Sequence, residues 1–167
     1  MKYIFIFVIL FSVSRGQSSA LNATTKENIS QTPKIAKDSS TKNALTFINA
    51  YVKNCNQMKD AVGIIEWVKS NKLTTQRFKT ILKRTIEEAN KLEPEIGLGF
   101  DPIFDAQDYP EKGFEIASID YKTNYIVVKG KDWQDFKLTI KMVKANNNWL
   151  VDGCGIINIP KSKRAKR

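Results

Sequence analysis

Between residues 43 and 54 the apolar side chains Ala44, Leu45, Phe47, Ile48, Tyr51 and Val52 fall three and four positions apart. That spacing lines one side of a helix and predicts the first core helix over 43–54. A second helical segment is predicted behind Asp60 as a cap, with Val62, Ile65, Trp67 and Val68 as its apolar surface and Gly63 as an irregularity. A third starts at Thr74 or Thr75 and carries Phe78, Ile81, Leu82, Ile86 and Ala89, ending before Pro94 and Gly97. Past Gly113 the period drops to two. Strands are predicted at 114–121, 125–129, 136–143 and 149–152, with 156–159 as a continuation beyond a glycine break. Phe136, Leu138, Ile140 and Met142 alternate with Lys137, Thr139, Lys141 and Val143, so one sheet face is expected in the core and the other in water. Asn146, Asn147 and Asn148 supply the last hairpin turn, because Asn tolerates left-handed backbone angles. Helices followed by a meander define an α+β fold: N-terminal helices packed on a curved antiparallel sheet in a single domain.

The two ends of the chain change this picture. Lys2 and an unbroken apolar run from Tyr3 to Phe11 precede Ser12, Val13, Ser14, Arg15 and Gly16. Small residues at Ser14 and Gly16 fit a signal-peptide cut before Gln17, with a second possible cut after Ala20. An apolar core of about ten residues is too short to span a bilayer, which takes roughly 20. Residues 1–16 therefore read as a signal peptide, and the expected location is periplasmic or secreted, soluble after cleavage. Residues 17–42, rich in Ser, Thr, Asn, Gln and Lys without an apolar period, read as a disordered polar spacer. The α+β domain is then expected over 43–160, with a basic tail over 161–167.

The net charge of +10 is uneven: Lys2 and Arg15 lie in the leader, and Lys161, Lys163, Arg164, Lys166 and Arg167 in the last seven residues. The rest is nearer to balance. Such a tail is expected to give a weak contact with an anionic surface, not specific nucleic-acid binding. Export also allows Cys55 and Cys154 to pair, tying the first helix to the end of the sheet. Gly153 and Gly155 leave backbone room for such a bridge. The alternative is two buried thiols acting as small hydrophobes.

Histidine is absent, which removes imidazole triads, imidazole bases and the usual zinc sites. The sequence contains no closely spaced cysteine pair, no phosphate-binding glycine loop and no dinucleotide fingerprint. No cofactor or metal is expected. What remains is the run from Asp101 to Glu111, in which Asp101, Asp105 and Asp108 could hold a hard cation or present a carboxylate base. The plainer account makes Asp101 the cap of a short turn opened by Pro102, with Asp108 holding the backbone around Pro110.

Asp101-Pro102, then Ala106-Gln107-Asp108, and the closing Asn148-Trp149-Leu150-Val151-Asp152 together resemble the bacterial domain of unknown function DUF3828, over roughly residues 44–160. The resemblance implies an exported or lipid-anchored envelope protein with a cone-shaped, NTF2-like arrangement of helices and bent sheet. The lipobox cysteine of lipid-anchored members is missing here, and the resemblance brings no catalytic residue. The function expected is a non-catalytic binding or accessory module with an apolar cleft for a partner protein, peptide or small ligand, an immunity protein being one instance. The rival is a carboxylate-dependent enzyme of NTF2-like type built on Asp101, Asp105 and Asp108.

Overall fold

The structure, a computed structural model, describes residues 24–166, with side chains from residue 39 onward. The signal peptide, its cut, residues 17–23 of the spacer and Arg167 lie outside the described residues. Helix α1 runs Thr24–Cys55, followed by a 3-10 turn at Met58–Asp60, α2 at Ile64–Ser70 and α3 at Gln76–Leu92. The strands are β1 Phe114–Asp120, β2 Tyr125–Gly130, β3 Lys137–Ala145 and β4 Asn148–Cys154, and a 3-10 turn at Lys161–Lys163 closes the chain. The described part is a single α+β domain with its helices N-terminal to the sheet.

Helix α1 buries the predicted face, Ala44, Phe47, Ile48, Tyr51 and Val52. It starts long before residue 43, however. The backbone of 24–42, expected as a disordered spacer, is helical, and Ser40 is already buried. A polar stretch has no apolar stripe to announce a helix, yet extending one that is already packed needs no new nucleus. Helix α2 begins after Gly63 and not at Asp60, which sits in the preceding 3-10 turn. Asn54 sets that entry, its side chain donating to the Val62 carbonyl at 2.8 Å and accepting from the Val62 N–H at 3.0 Å. Helix α3 starts where the pattern predicts: the Thr75 hydroxyl accepts from the Phe78 N–H at 3.0 Å.

The sheet is an antiparallel meander in the order β1-β2-β3-β4. Val128 faces Leu138 across β2 and β3, and Ile140 faces Cys154 across β3 and β4. Asn146 and Asn147 have φ of 47° and 64°, the consecutive left-handed pair of a tight hairpin turn. Register shifts between Ile116 and Ser118 and between Lys141 and Met142 mark bulges, which bend strands. The free side of β4 is partly covered by the α2–α3 connection, where Val151 N–H donates to Leu73 at 2.7 Å and Thr75 N–H donates to Val151 at 3.0 Å. The expected strand at 156–159 does not form. Gly155, at φ 60°, turns the chain so that Ile157 makes only an isolated bridge back to Cys154.

Six aromatic side chains, Phe47, Tyr51, Phe78, Phe104, Phe114 and Phe136, are among the largest fully buried groups. The Tyr51 and Phe104 ring centroids are 5.0 Å apart, and those of Phe114 and Phe136 are 5.9 Å apart. At about 1.5–3 kcal/mol for each buried large apolar side chain, this helix-on-sheet seam is the main source of stability. The opposite sheet face is not wholly wet. Thr139 is buried there, and its hydroxyl donates to the Lys163 carbonyl at 2.9 Å. The beginning of the basic tail thus lies across β3. Arg164 Nε donates to the Ile159 carbonyl at 3.3 Å, and Lys163 Nζ sits 5.9 Å from the Tyr125 ring centroid. Among the described residues no helix is long and apolar enough to cross a membrane.

Candidate functional site

The connection between α3 and β1 carries the motif singled out from sequence. Asp101 folds it: Oδ1 accepts from the N–H of Ile103 at 2.7 Å and of Phe104 at 2.9 Å, while Oδ2 accepts from the Tyr51 hydroxyl on α1. The loop closes on itself through Asp101 N–H donating to Ala106 at 2.9 Å. Pro102, Ile103 and Phe104 are buried beneath it, and the Pro102 carbonyl accepts from Ile156 at 3.0 Å. The capping account of Asp101 and Pro102 therefore holds.

The chemistry of this cluster follows from its burial. Desolvation pushes the Asp101 carboxyl above its ordinary range, against the opposing pull of the Tyr51 hydroxyl and two backbone donors. Burial first, then the Asp101 charge, raises Tyr51 far above the usual phenol value. The same two causes push the nearby Cys55 thiol up to about 11. At pH 7 such a thiol is about one part in ten thousand ionised, a poor nucleophile. Asp101 has both oxygens engaged by the fold.

The three aspartates do not act together. Asp105 is half-buried with a left-handed backbone, φ 55°, and its Oδ2 lies 4.0 Å from Arg164 Nη1. Asp108 is exposed on the rim, and Gln107 donates to the Gly99 carbonyl at 3.0 Å. Among the described residues no group of three His, Cys, Asp or Glu side chains could hold a metal ion. A hard-cation site is therefore not assembled by this motif, because the αL turn at Asp105 and the engaged Asp101 point their carboxylates to separate tasks. The expected disulfide does not form either. Cys154 is buried with its thiol toward the Ile103 carbonyl at 3.6 Å, whereas Cys55 belongs to the Tyr51–Asp101 cluster.

Two grooves of about 390 Å³ each open beside this loop. One is lined by Ile64 and Ile86 from the helices and by Ile96, Leu98, Phe100 and Asp101 from the loop. The other is lined by Ala106, Asp108, Trp133, Asp135 and Phe136. Large apolar groups stay exposed at these grooves, Ile96 at 69%, Phe100 at 36% and Trp133 at 46%, and Leu92 is 83% exposed at the end of α3. Ile96, Phe100 and Trp133 lie in loops, which have no period to read from sequence. The signal that the sequence does carry here is charge: residues 92–111 hold six acids and no Lys or Arg, in a chain of +10.

Asp152, the last residue of the closing motif, has a role that only the fold reveals. At 4% exposure it accepts from the Thr75 hydroxyl at 2.8 Å and pairs with Arg77 at 3.2 Å and Lys141 at 3.9 Å, tying the start of α3 to β3 and β4. No family model, no curated protein and no solved structure matches this chain.

Proposed function

We propose that this chain is an exported, non-catalytic binding or accessory module, of the DUF3828 type that its motifs resemble, with the cone-like NTF2 arrangement that goes with it. It meets a partner protein or peptide through the face of the 92–111 loop. The observation that carries this reading is the groove beside this loop, at which the large apolar side chains Ile96 and Phe100 stay in water, with exposed Leu92 close by in sequence at the end of α3. Contiguous apolar surface that a folded chain leaves in water is a common mark of an interaction site. The engagement of both Asp101 oxygens and the elevated Cys55 thiol favour binding over a carboxylate or thiol mechanism. The signal-like start supports the export part of the reading.

The test is affinity capture from a periplasmic or secreted fraction with the chain purified from that fraction. Intact mass of the exported protein should place its first residue at Gln17. Reproducible enrichment of one partner supports the module reading, and repeated captures that enrich nothing would count decisively against it. A mass that retains residues 1–16 would remove the cleaved-leader part.

A further inference from the structure

We infer that the occupant of the 92–111 face is a cationic, amphipathic segment of another protein, with an apolar side chain in the groove and lysines or arginines against its rim. This rests on the binding-module reading above and adds the chemistry of the partner. The apolar half of that chemistry comes from the groove itself: Ile64, Ile86 and Leu98 form its wall, and Ile96 and Phe100 stand at its exposed margin. A pocket of this kind suits one large aliphatic or aromatic anchor, the usual centre of an interface.

The cationic half comes from charge placement. Residues 92–111 hold six of the seventeen acids of the chain and none of its twenty-seven bases. Asp101 lines the first groove with both oxygens engaged by the fold, so the acids offered to a partner are those nearer the surface, among them Asp108 and Asp135 lining the second groove. Glu93 and Glu95 lie exposed just before Ile96. Helix α3 also ends at Leu92, so the negative end of its dipole adds to the same field. The groove between α2 and α3 is the contrast: Lys69, Lys79, Lys83 and Arg84 line it beside Glu66 and Glu87. The chain itself supplies an example of the proposed contact, because Arg164 from the tail approaches Asp105 to 4.0 Å. A basic segment is steered toward acids placed in this way.

Three synthetic helical peptides of equal length test the idea against the exported chain: one of lysine and leucine with an apolar face, one of glutamate and leucine, and one of lysine and serine. By fluorescence polarisation the lysine–leucine peptide should bind and weaken as salt rises. The glutamate–leucine peptide should not bind, and the lysine–serine peptide should bind roughly tenfold more weakly or worse. Ile96→Ser and Glu95→Lys, both at exposed positions, should each weaken the lysine–leucine peptide by about tenfold, while Lys83→Glu on the α2–α3 groove leaves it unchanged. Circular dichroism confirms that each variant folds. Equal binding of the lysine–serine or the glutamate–leucine peptide would overturn the inference. So would indifference to both Ile96→Ser and Glu95→Lys, or self-association of the chain that those substitutions abolish, which would make the occupant a second copy. A captured partner whose binding ignores these substitutions sinks this inference and leaves the module reading standing, whereas an empty capture sinks the module reading itself.

Discussion

Cys55 shows at the residue scale how distant positions set one group's chemistry. Its thiol is held up to about 11 by burial and by the Asp101 charge, neither of which could be read from the neighbours of Cys55 in the chain. The sign is definite. A thiol raised by folding from its ordinary 9.0 contributes stability that is complete below pH 9 and is lost as the pH climbs through 11. Alkylation of the native protein with iodoacetamide should therefore stay slow at pH 8 and inflect near 11, and Asp101→Asn should move the inflection downward. An inflection at the ordinary thiol value would refute the buried cluster. Cys154, fully buried, should react only after unfolding, and mass measurement without reductant should find two thiols and no bridge. The Asp-Pro turn was legible at this scale because a cap and a proline act locally, but its Tyr51 partner was not, since that bond joins α1 to a remote loop. Gly155 is a second residue with a sharp requirement. At φ 60° an added methyl would lie 2.3 Å from the carbonyl oxygens of both Pro102 and Ile103. Gly155→Ala should cost roughly 3 kcal/mol or more by urea denaturation, well beyond an ordinary surface change.

At the scale of elements, apolar spacing located what it had the means to locate. The period near 3.6 marked α1 from Asn43 and α3 from Thr75, and the period of two marked all four strands. The pattern failed for two different reasons: the polar first half of α1 lacks a stripe, whereas 156–159 has strand-like residues but a left-handed Gly155 that folds them back on Cys154. The start of α3 shows how tightly an element can be tied to the sheet. Thr75 caps the helix by accepting from Phe78 and also donates to Asp152 at 2.8 Å. Thr75→Val keeps the shape and removes both bonds, so a loss of about 1–2 kcal/mol is expected in chemical denaturation, with the larger end reflecting the buried Asp152 carboxylate left without its hydroxyl donor. A loss below a few tenths of that would mean that the cap does not hold the helix to β4.

At the scale of the whole molecule, the basic tail through residue 166 belongs to the fold and is not a loose appendage. Composition located the positive charge at 161–167 but could not reveal that this segment docks, because a charge run gives no hint of which sheet face lies open beneath it. The bond from Thr139 to the Lys163 carbonyl, the approach of Lys163 to the Tyr125 ring, and the Arg164 contacts with Ile159 and Asp105 together hold the segment over β2 and β3. A tail that merely trailed in solvent would leave stability untouched when removed. Deleting residues 161–167 from this chain instead uncovers Thr139, which is 3% exposed, and strips one neutral hydrogen bond and a set of screened charge contacts. One such bond is worth about 0.5–1.5 kcal/mol and the surface pairs little more, so the expected loss is about 1–2 kcal/mol. Urea unfolding of the truncated and full chains in low and in high salt separates the two parts: the hydrogen-bond share should persist when salt screens the charges. Identical unfolding midpoints for the two chains at low salt would show that the tail does not strap the sheet.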